Sequence, residues 1–179
     1  WIEPEMTNTR SELYEKHPDW VIQQPYRENR KGRGGTQQVL DLSNPAVQEF
    51  VFGVVDRLMT AHPDIAYIKW DDNMTLYNYG STFLPADRQS HLYIEYHRGM
   101  DKVLRRIREA VGRSFPIEVR MSGSERTPGG YEIDTGIEIA KAIDGLVDLI
   151  HVSAGTQKVV YSAVLMHPPI FSPDVPFAE

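Results

Sequence analysis

A period of two runs through four short segments of this chain, and it limits the available folds more than any other feature. Along an extended strand, successive side chains point to opposite faces. One set reads Ile2, Pro4; Ile68, Trp70; Ile117, Val119, Met121; Ile150, Val152. The other reads Trp1, Glu3, Glu5; Tyr67, Lys69, Asp71; Glu118, Arg120, Ser122; Leu149, His151, Ser153. The first set is apolar and suits a face packed beneath helices. The second is polar and charged, and most so toward the C-terminal ends. An open parallel sheet covered on both sides by helices is apolar on both faces. A sheet curled into a barrel, with charged residues inside its C-terminal mouth, accommodates the pattern better.

Amphipathic helices separate these segments, which places the chain in the α/β class. The expected strands are Trp1–Glu5, Ala66–Asp71, Ile117–Met121 and Leu149–Ser153. Ser43-Asn44-Pro45 is a helix start, a capping side chain followed by proline in the first turn. Val47, Phe50, Val51, Val54, Val55, Leu58 and Met59 then recur at helical spacing, and His62-Pro63 ends the helix. Asp87 can cap a second helix with a stripe of Leu92, Tyr93, Tyr96, Met100, Val103, Leu104 and Ile107, stopped by Gly112. Asp134 opens a third, with Ile137, Ala140 and Ile143 inward and Gly145 closing it. Before the first long helix lies an excursion, with a short helix at Ser11–Lys16 and strand-like pieces at Trp20–Gln24 and Gln38–Leu42. Beyond Gly155 a further short element is expected at Val159–Met166.

Four parallel strands make half of a TIM (β/α)8 barrel, which needs eight strands and typically about 250 residues. The chain has 179. Unpaired strand edges favour association, so the sequence predicts a half-barrel completed by self-association as a dimer or a higher oligomer. The chain opens at Trp1 inside an expected strand, as a fragment, a processed product or an engineered piece would.

Composition excludes several classes. Hydrophobic residues at 41% and charged residues at 25% are ordinary for a folded domain. No apolar run approaches the roughly 18 residues of a membrane span, and the first residues do not resemble a signal peptide, so a soluble chain is expected. A net charge of −6 without a Lys/Arg stripe argues against nucleic acid. The absence of cysteine removes thiolate ligands and nucleophiles, while the cellular compartment stays open. His91 and Glu95 are i,i+4, but a helical pair alone does not make a metal site. Lys31-Gly32-Arg33-Gly34-Gly35 lacks the Lys-Ser/Thr ending of a phosphate loop and suits a solvated turn. Trp20, Tyr26, Tyr77 and Tyr79 are loop aromatics that could stack on a sugar or pack the loops down. No cofactor and no metal are expected.

Residues 1–100 carry Trp1-Ile2-Glu3-Pro4-Glu5-Met6, Leu13-Tyr14 through His17-Pro18-Asp19-Trp20, Val39-Leu40-Asp41-Leu42-Ser43 and Tyr67-Ile68-Lys69-Trp70-Asp71-Asp72-Asn73. These segments resemble strands three and four of the α-galactosidases of glycoside hydrolase family thirty-six. The resemblance implies that Asp71 is the nucleophile of a retaining mechanism, with Lys69, Trp70, Asn73, Trp1 and Glu3 as substrate-binding neighbours and an α-galactoside as the carbohydrate partner. Such a mechanism needs a second carboxyl group about 5 Å away to protonate the leaving oxygen. Glu3, Glu5, Glu118 and Asp72 are the candidates in this chain.

Residues 101–179 carry Ile117-Glu118-Val119-Arg120-Met121-Ser122, Gly130-Tyr131-Glu132-Ile133-Asp134 and Val147-Asp148-Leu149-Ile150-His151-Val152-Ser153-Ala154-Gly155. They are similar to strands five and six of flavin-dependent ene-reductases, the old yellow enzyme and dienoyl-CoA reductase group. That similarity implies a flavin contact for Arg120. Glu118, where that family has a small residue, favours an ion pair with Arg120 instead. His151 can be a general base or a structural histidine. The expectation is therefore a chimeric half-barrel of glycoside hydrolase type. Its alternatives are a non-catalytic product of recombination and a remnant of a flavin-dependent oxidoreductase.

Overall fold

A computed structural model of the chain describes residues 1–24, 26–29, 32–70, 78–124 and 132–154. The chain forms two compact units, Trp1–Gly112 and Arg113–Glu179.

In the first unit β1 (Met6–Asn8) pairs antiparallel with β2 (Gln37–Val39), in the register Met6 to Val39 and Asn8 to Gln37. The other edge of β2 is also used. Val21 forms an antiparallel bridge with Leu40, and the Ile22 amide donates to the Val39 carbonyl at 2.9 Å. The strand-like pieces expected at Trp20–Gln24 and Gln38–Leu42 thus meet each other. β1 lies in a segment for which no strand was expected. The short helix α1 (Glu12–Lys16) follows it, and the Ser11 side chain accepts from the Tyr14 amide to cap it.

The expected strands Trp1–Glu5 and Ala66–Asp71 are each reduced, among the described residues, to one parallel bridge between Ile2 and Trp70. The Ile2 amide donates to the Lys69 carbonyl at 2.9 Å. A turn at Pro4-Glu5 stops the first strand. It also breaks the alternation: Glu5, expected on the charged face, is fully buried.

Helix α2 (Pro45–Ala61) begins as its sequence signals, with Pro45 in the first turn and Asn44 accepting from the Ala46 amide at 2.9 Å. Val47, Val51 and Val55 are its buried residues. A 3-10 turn at Ala86–His91 leads into α3 (Leu92–Val111), which ends where Gly112 takes a φ of 71°. Leu92, Tyr96 and Val103 are buried as expected, whereas Tyr93 and Leu104 are exposed and drop out of the stripe. The core joins Val21, Ile22, Val39, Leu40 and Leu42 to Val47 and Val51 of α2 and to Leu92, Tyr96 and Val103 of α3. Each such fully buried side chain contributes about 1.5–3 kcal/mol relative to exposure. The closest approach is at Gly99, where a Cβ would lie 1.8 Å from the Leu42 carbonyl oxygen.

In the second unit β3 (Glu118–Ser124), α4 (Ile133–Ile143) and β4 (Leu149–Ala154) form a βαβ arrangement. The two strands are parallel, with Glu118 opposite Leu149, Arg120 opposite His151 and Ser122 opposite Ser153. The register shifts between Ser122 and Ser124. α4 packs on β3 through Gly136, where a Cβ would meet the Gly123 carbonyl oxygen at 2.2 Å. Ile137, expected inward, is exposed, while Ala140 and Ile143 are half-buried. The element expected at Val159–Met166 lies outside the described residues.

Candidate functional site

The bridge between Ile2 and Trp70 sets two chain segments side by side and parallel. Residues adjacent to it therefore project from neighbouring positions. Lys69 places its Nζ 3.8 Å above the centre of the Trp1 ring. Two of the predicted substrate-binding residues are thereby brought together, and Trp1 remains 78% exposed. Glu3 is half-buried and accepts from the Gln37 Nε2 at 3.0 Å, which ties it to β2. On the other side of the same strand, the Trp70 indole donates to Glu5 Oε2 at 2.5 Å. Glu5 is thus committed to a buried hydrogen bond, which corrects its placement among the acid candidates. Asp71, Asp72, Asn73 and Tyr77 lie outside the described residues.

Behind the site is a buried polar cluster whose function went unseen in the sequence. Asp41 is 1% exposed; its Oδ1 accepts from the Ser43 amide at 3.0 Å and the Ser43 hydroxyl at 2.6 Å, and its Oδ2 accepts from the Ser81 hydroxyl. Ser81 Oγ in turn accepts from the amides of Phe83 and Leu84. Gln89 donates to the carbonyls of Ser81 and Leu84 and accepts from the Ser81 amide. The segment entering α3 is thereby fastened to the end of β2. The only signal in the sequence was an aspartate in an otherwise apolar stretch, Val39-Leu40-Asp41-Leu42.

The loop aromatics have structural partners. Trp20 stacks on His17 at 3.9 Å and meets Phe50 edge-on, and the Tyr79 hydroxyl donates to the Ser90 carbonyl. Tyr26 is fully exposed with a φ of 64°. Gly34 and Gly35 have φ of 65° and 68°, which fits the solvated turn expected there. Glu95 is held by Arg88 and Arg98, not by His91. Burial pushes its carboxyl up, but the Arg88 hydrogen bond and the charges of Arg98 and Arg88 outweigh this and leave it below the ordinary range.

The strands of the second unit keep the expected alternation. Glu118, Arg120 and His151 are exposed, and Ile117, Val119, Met121, Ile150 and Val152 are half-buried. Where an ion pair between Glu118 and Arg120 was expected, Glu118 Oε1 lies 3.3 Å from His151 Nδ1 on the neighbouring strand, a contact that is an ion pair only when the imidazole is protonated. Among the described residues, no group of three His, Asp or Glu side chains is arranged to hold a metal ion. No helix among them is long and apolar enough to cross a membrane.

Parallel pairings joined through helices, with charged residues at alternate positions, give each unit the local pattern of an α/β protein. The chain belongs to the Melibiase family, whose model matches residues 1–153. It is 42% identical over 110 residues to alpha-galactosidase 2 of Pediococcus pentosaceus, covering 62% of this chain and 15% of that one. It is 33% identical over 137 residues to alpha-galactosidase C of Emericella nidulans, covering 76% and 16%. The crystal structure of the Geobacillus stearothermophilus alpha-galactosidase AgaB superposes with a TM-score of 0.58 at 35% identity, over 73% of this chain and 17% of that one. The chain thus spans about 15% of the length of the curated relatives it matches.

A 137-residue match on a 179-residue chain necessarily includes residues beyond 100. The α-galactosidase likeness therefore runs past the point where the sequence resemblance changes. The ene-reductase likeness of residues 101–179, and with it the chimera, is not shown by these comparisons, nor is self-association.

Proposed function

We propose that this chain carries the nucleophile side of a retaining α-galactosidase site. Asp71 is the nucleophile, and Trp1, Glu3, Lys69 and Asn73 line the sugar subsite; Trp70, expected among them, instead turns its indole onto buried Glu5 and packs against the core. The observation that carries the reading is the stack of Lys69 on the exposed Trp1 ring, beside the bridge that ends at Trp70. An exposed indole offers an apolar face to a sugar ring, and an adjacent ammonium offers donors to its hydroxyls. In the first step the Asp71 carboxylate bonds to the anomeric carbon as the glycosidic bond breaks. The leaving oxygen takes a proton from a second carboxylic acid, and water then hydrolyses the glycosyl ester. Variants of the relative AgaA were crystallised with raffinose and with stachyose, so the substrate class proposed here is the same kind of α-galactoside.

The test is release of p-nitrophenol from p-nitrophenyl α-galactoside by the full chain and by Asp71→Asn. Turnover that the substitution reduces to the uncatalysed background supports the reading. A wild-type chain without turnover, or an undiminished variant, refutes it. Self-association of the 179-residue chain belongs to the same proposal, because a second copy can cover strand edges left open in one. Light scattering on the same sample reads it, and a folded monomer at micromolar concentration overturns it. The described residues around Arg120, namely Glu118 and His151, give no specific support to the flavin reading.

A further inference from the structure

Glu5 is fully buried, although it is a carboxylate only two residues from the half-buried Glu3. Its side chain accepts the indole N–H of Trp70, a contact that spans 65 positions of sequence. Its backbone carbonyl accepts from the Leu40 amide at 2.8 Å, so the residue is also held by the segment that continues β2. A carboxyl group removed from water is tolerated when hydrogen bonds replace its hydration, and the indole supplies one to Oε2. One residue therefore connects the antiparallel β1/β2 pair to the segment that ends in Lys69-Trp70.

The geometry points to Glu5 as a positioning residue of the proposed glycosidase site, acting through Trp70. This inference rests on the reading of Asp71 as nucleophile. Side chains alternate along an extended segment, so gripping Trp70 from one side fixes what Lys69 presents on the other. Lys69 lies over Trp1 there, and its carbonyl accepts from Ile2. The next residue in the chain is Asp71. Three ties thus converge at this point: the indole bond, the Ile2 amide bond and the Lys69–Trp1 stack. Only the first is made by a side chain that is shut away from any sugar. A displacement of about 1 Å in a reacting group can cost about a hundredfold in rate. Glu5 holds Trp70, and with it the neighbouring Lys69 over Trp1, without touching substrate.

The test uses Glu5→Gln, Trp70→Phe and the double variant in the full chain. The protein has three tryptophans, so three indole N–H signals are expected from a nitrogen-labelled sample. The one lost in Trp70→Phe is expected to exchange slowly in the wild type, and to shift and exchange faster in Glu5→Gln. With p-nitrophenyl α-galactoside, kcat is expected to fall about 10- to 100-fold in Glu5→Gln, with KM changing less than kcat. The double variant is expected to be no worse than the poorer single one. An unmoved Trp70 signal, additive losses in the double variant, or an unchanged kcat overturns the inference. If the wild-type chain does not turn over the galactoside, the proposed function fails. The positioning claim then falls with it, whereas an active wild type with an unmoved Trp70 signal or an unchanged kcat ends the positioning claim alone.

Discussion

The packing of α3 on the end of β2 predicts that Gly99→Ala destabilises the first unit, even though the substitution favours the helix. Two effects oppose each other. Alanine inside a helix gains about 1 kcal/mol over glycine. Against this, the new Cβ would stand 1.8 Å from the Leu42 carbonyl oxygen, 2.7 Å from its carbon and 3.0 Å from the Gln48 Nε2. Cβ atoms do not approach other heavy atoms closer than 3.0 Å, so α3 must retreat by more than an ångström. The obstacle is backbone on both sides. It also holds the hydrogen bond from Gln48 Nε2 to the Leu42 carbonyl at 2.8 Å, which the retreat weakens. Tyr96 and Val103 would leave their contacts with Val47 and Val51 in the same movement. Overpacking typically costs 1–3 kcal/mol, and unyielding backbone puts this case at about 3. The net loss is about 2 kcal/mol, which for a unit of this size lowers Tm by about 8–16 °C.

Gly53→Ala in α2 is the matched control. It makes the same gain in helix propensity, but its Cβ meets only the guanidinium end of Arg57, at 2.9 Å. That tip can swing away, so this variant is expected to be more stable by about 0.5–1 kcal/mol. Thermal and urea melts followed by far-UV circular dichroism measure both. A Gly99→Ala protein as stable as the wild type, or a Gly53→Ala protein destabilised to the same extent, would refute the reasoning.

Two further outcomes follow from polar contacts. Arg106 holds Glu49 across the two long helices, and its hydrogen bond and charge bring the Glu49 carboxyl below the ordinary value of 4.5 despite a smaller opposing effect of burial. A lowered folded-state value means stability that is present above 4.5 and is lost as pH falls through that lowered value. The Tm difference between the wild type and Glu49→Gln should therefore exist at neutral pH and vanish in strong acid, and an equal difference at both would contradict the pairing. Ser81→Ala removes the donor to buried Asp41 and the acceptor for the Phe83 and Leu84 amides. It should cost about 1–3 kcal/mol and speed proteolysis between residues 78 and 91; unchanged melting and cleavage would show that the cluster does not fasten this segment.

Helix positions were legible because their signals are local. Asn44-Pro45 and Gly112 mark ends that depend on neighbouring backbone groups alone, and Val47, Val51 and Val55 repeat at the helical period. The strand alternation at residues 117–121 and 149–153 was legible for the same reason, since a covered face and an open face leave a period of two. Two features were not legible. β1 has three residues and is stabilised by β2, about thirty positions away, so no local pattern announces it. Tyr93, Leu104 and Ile137 fit their stripes by spacing, yet the stripe a helix buries is narrower than the apolar residues it carries. For the site, the grouping of Trp1 with Lys69 was legible from strand alternation. The roles of Glu5 and Asp41 were not, because a charged residue in sequence gives no sign of whether a distant donor will reach it.

The charged faces raise a question that alternation alone leaves open, because a solvated face and a binding face have the same period. In the second unit the exposed side chains of this set are Glu118, Arg120 and His151, together with the apolar Leu149. In the first they are Trp1, Tyr67 and Lys69, two aromatic rings and a cation. The Lys69 ammonium lies over the Trp1 ring, and a cation over an aromatic ring at an exposed site is worth about 0.5–1 kcal/mol. So weak a contact does not account for keeping a large apolar ring in water. A sugar ring laid on Trp1 would cover apolar surface that this contact leaves in water. The binding role proposed above for Trp1 and Lys69 carries an expected outcome of its own. The ring would lose exposure on binding, and its fluorescence should change when galactose is added to the wild type. The same addition to Trp1→Ala should leave the remaining indoles unmoved, and an equal response from both proteins would remove Trp1 from the site.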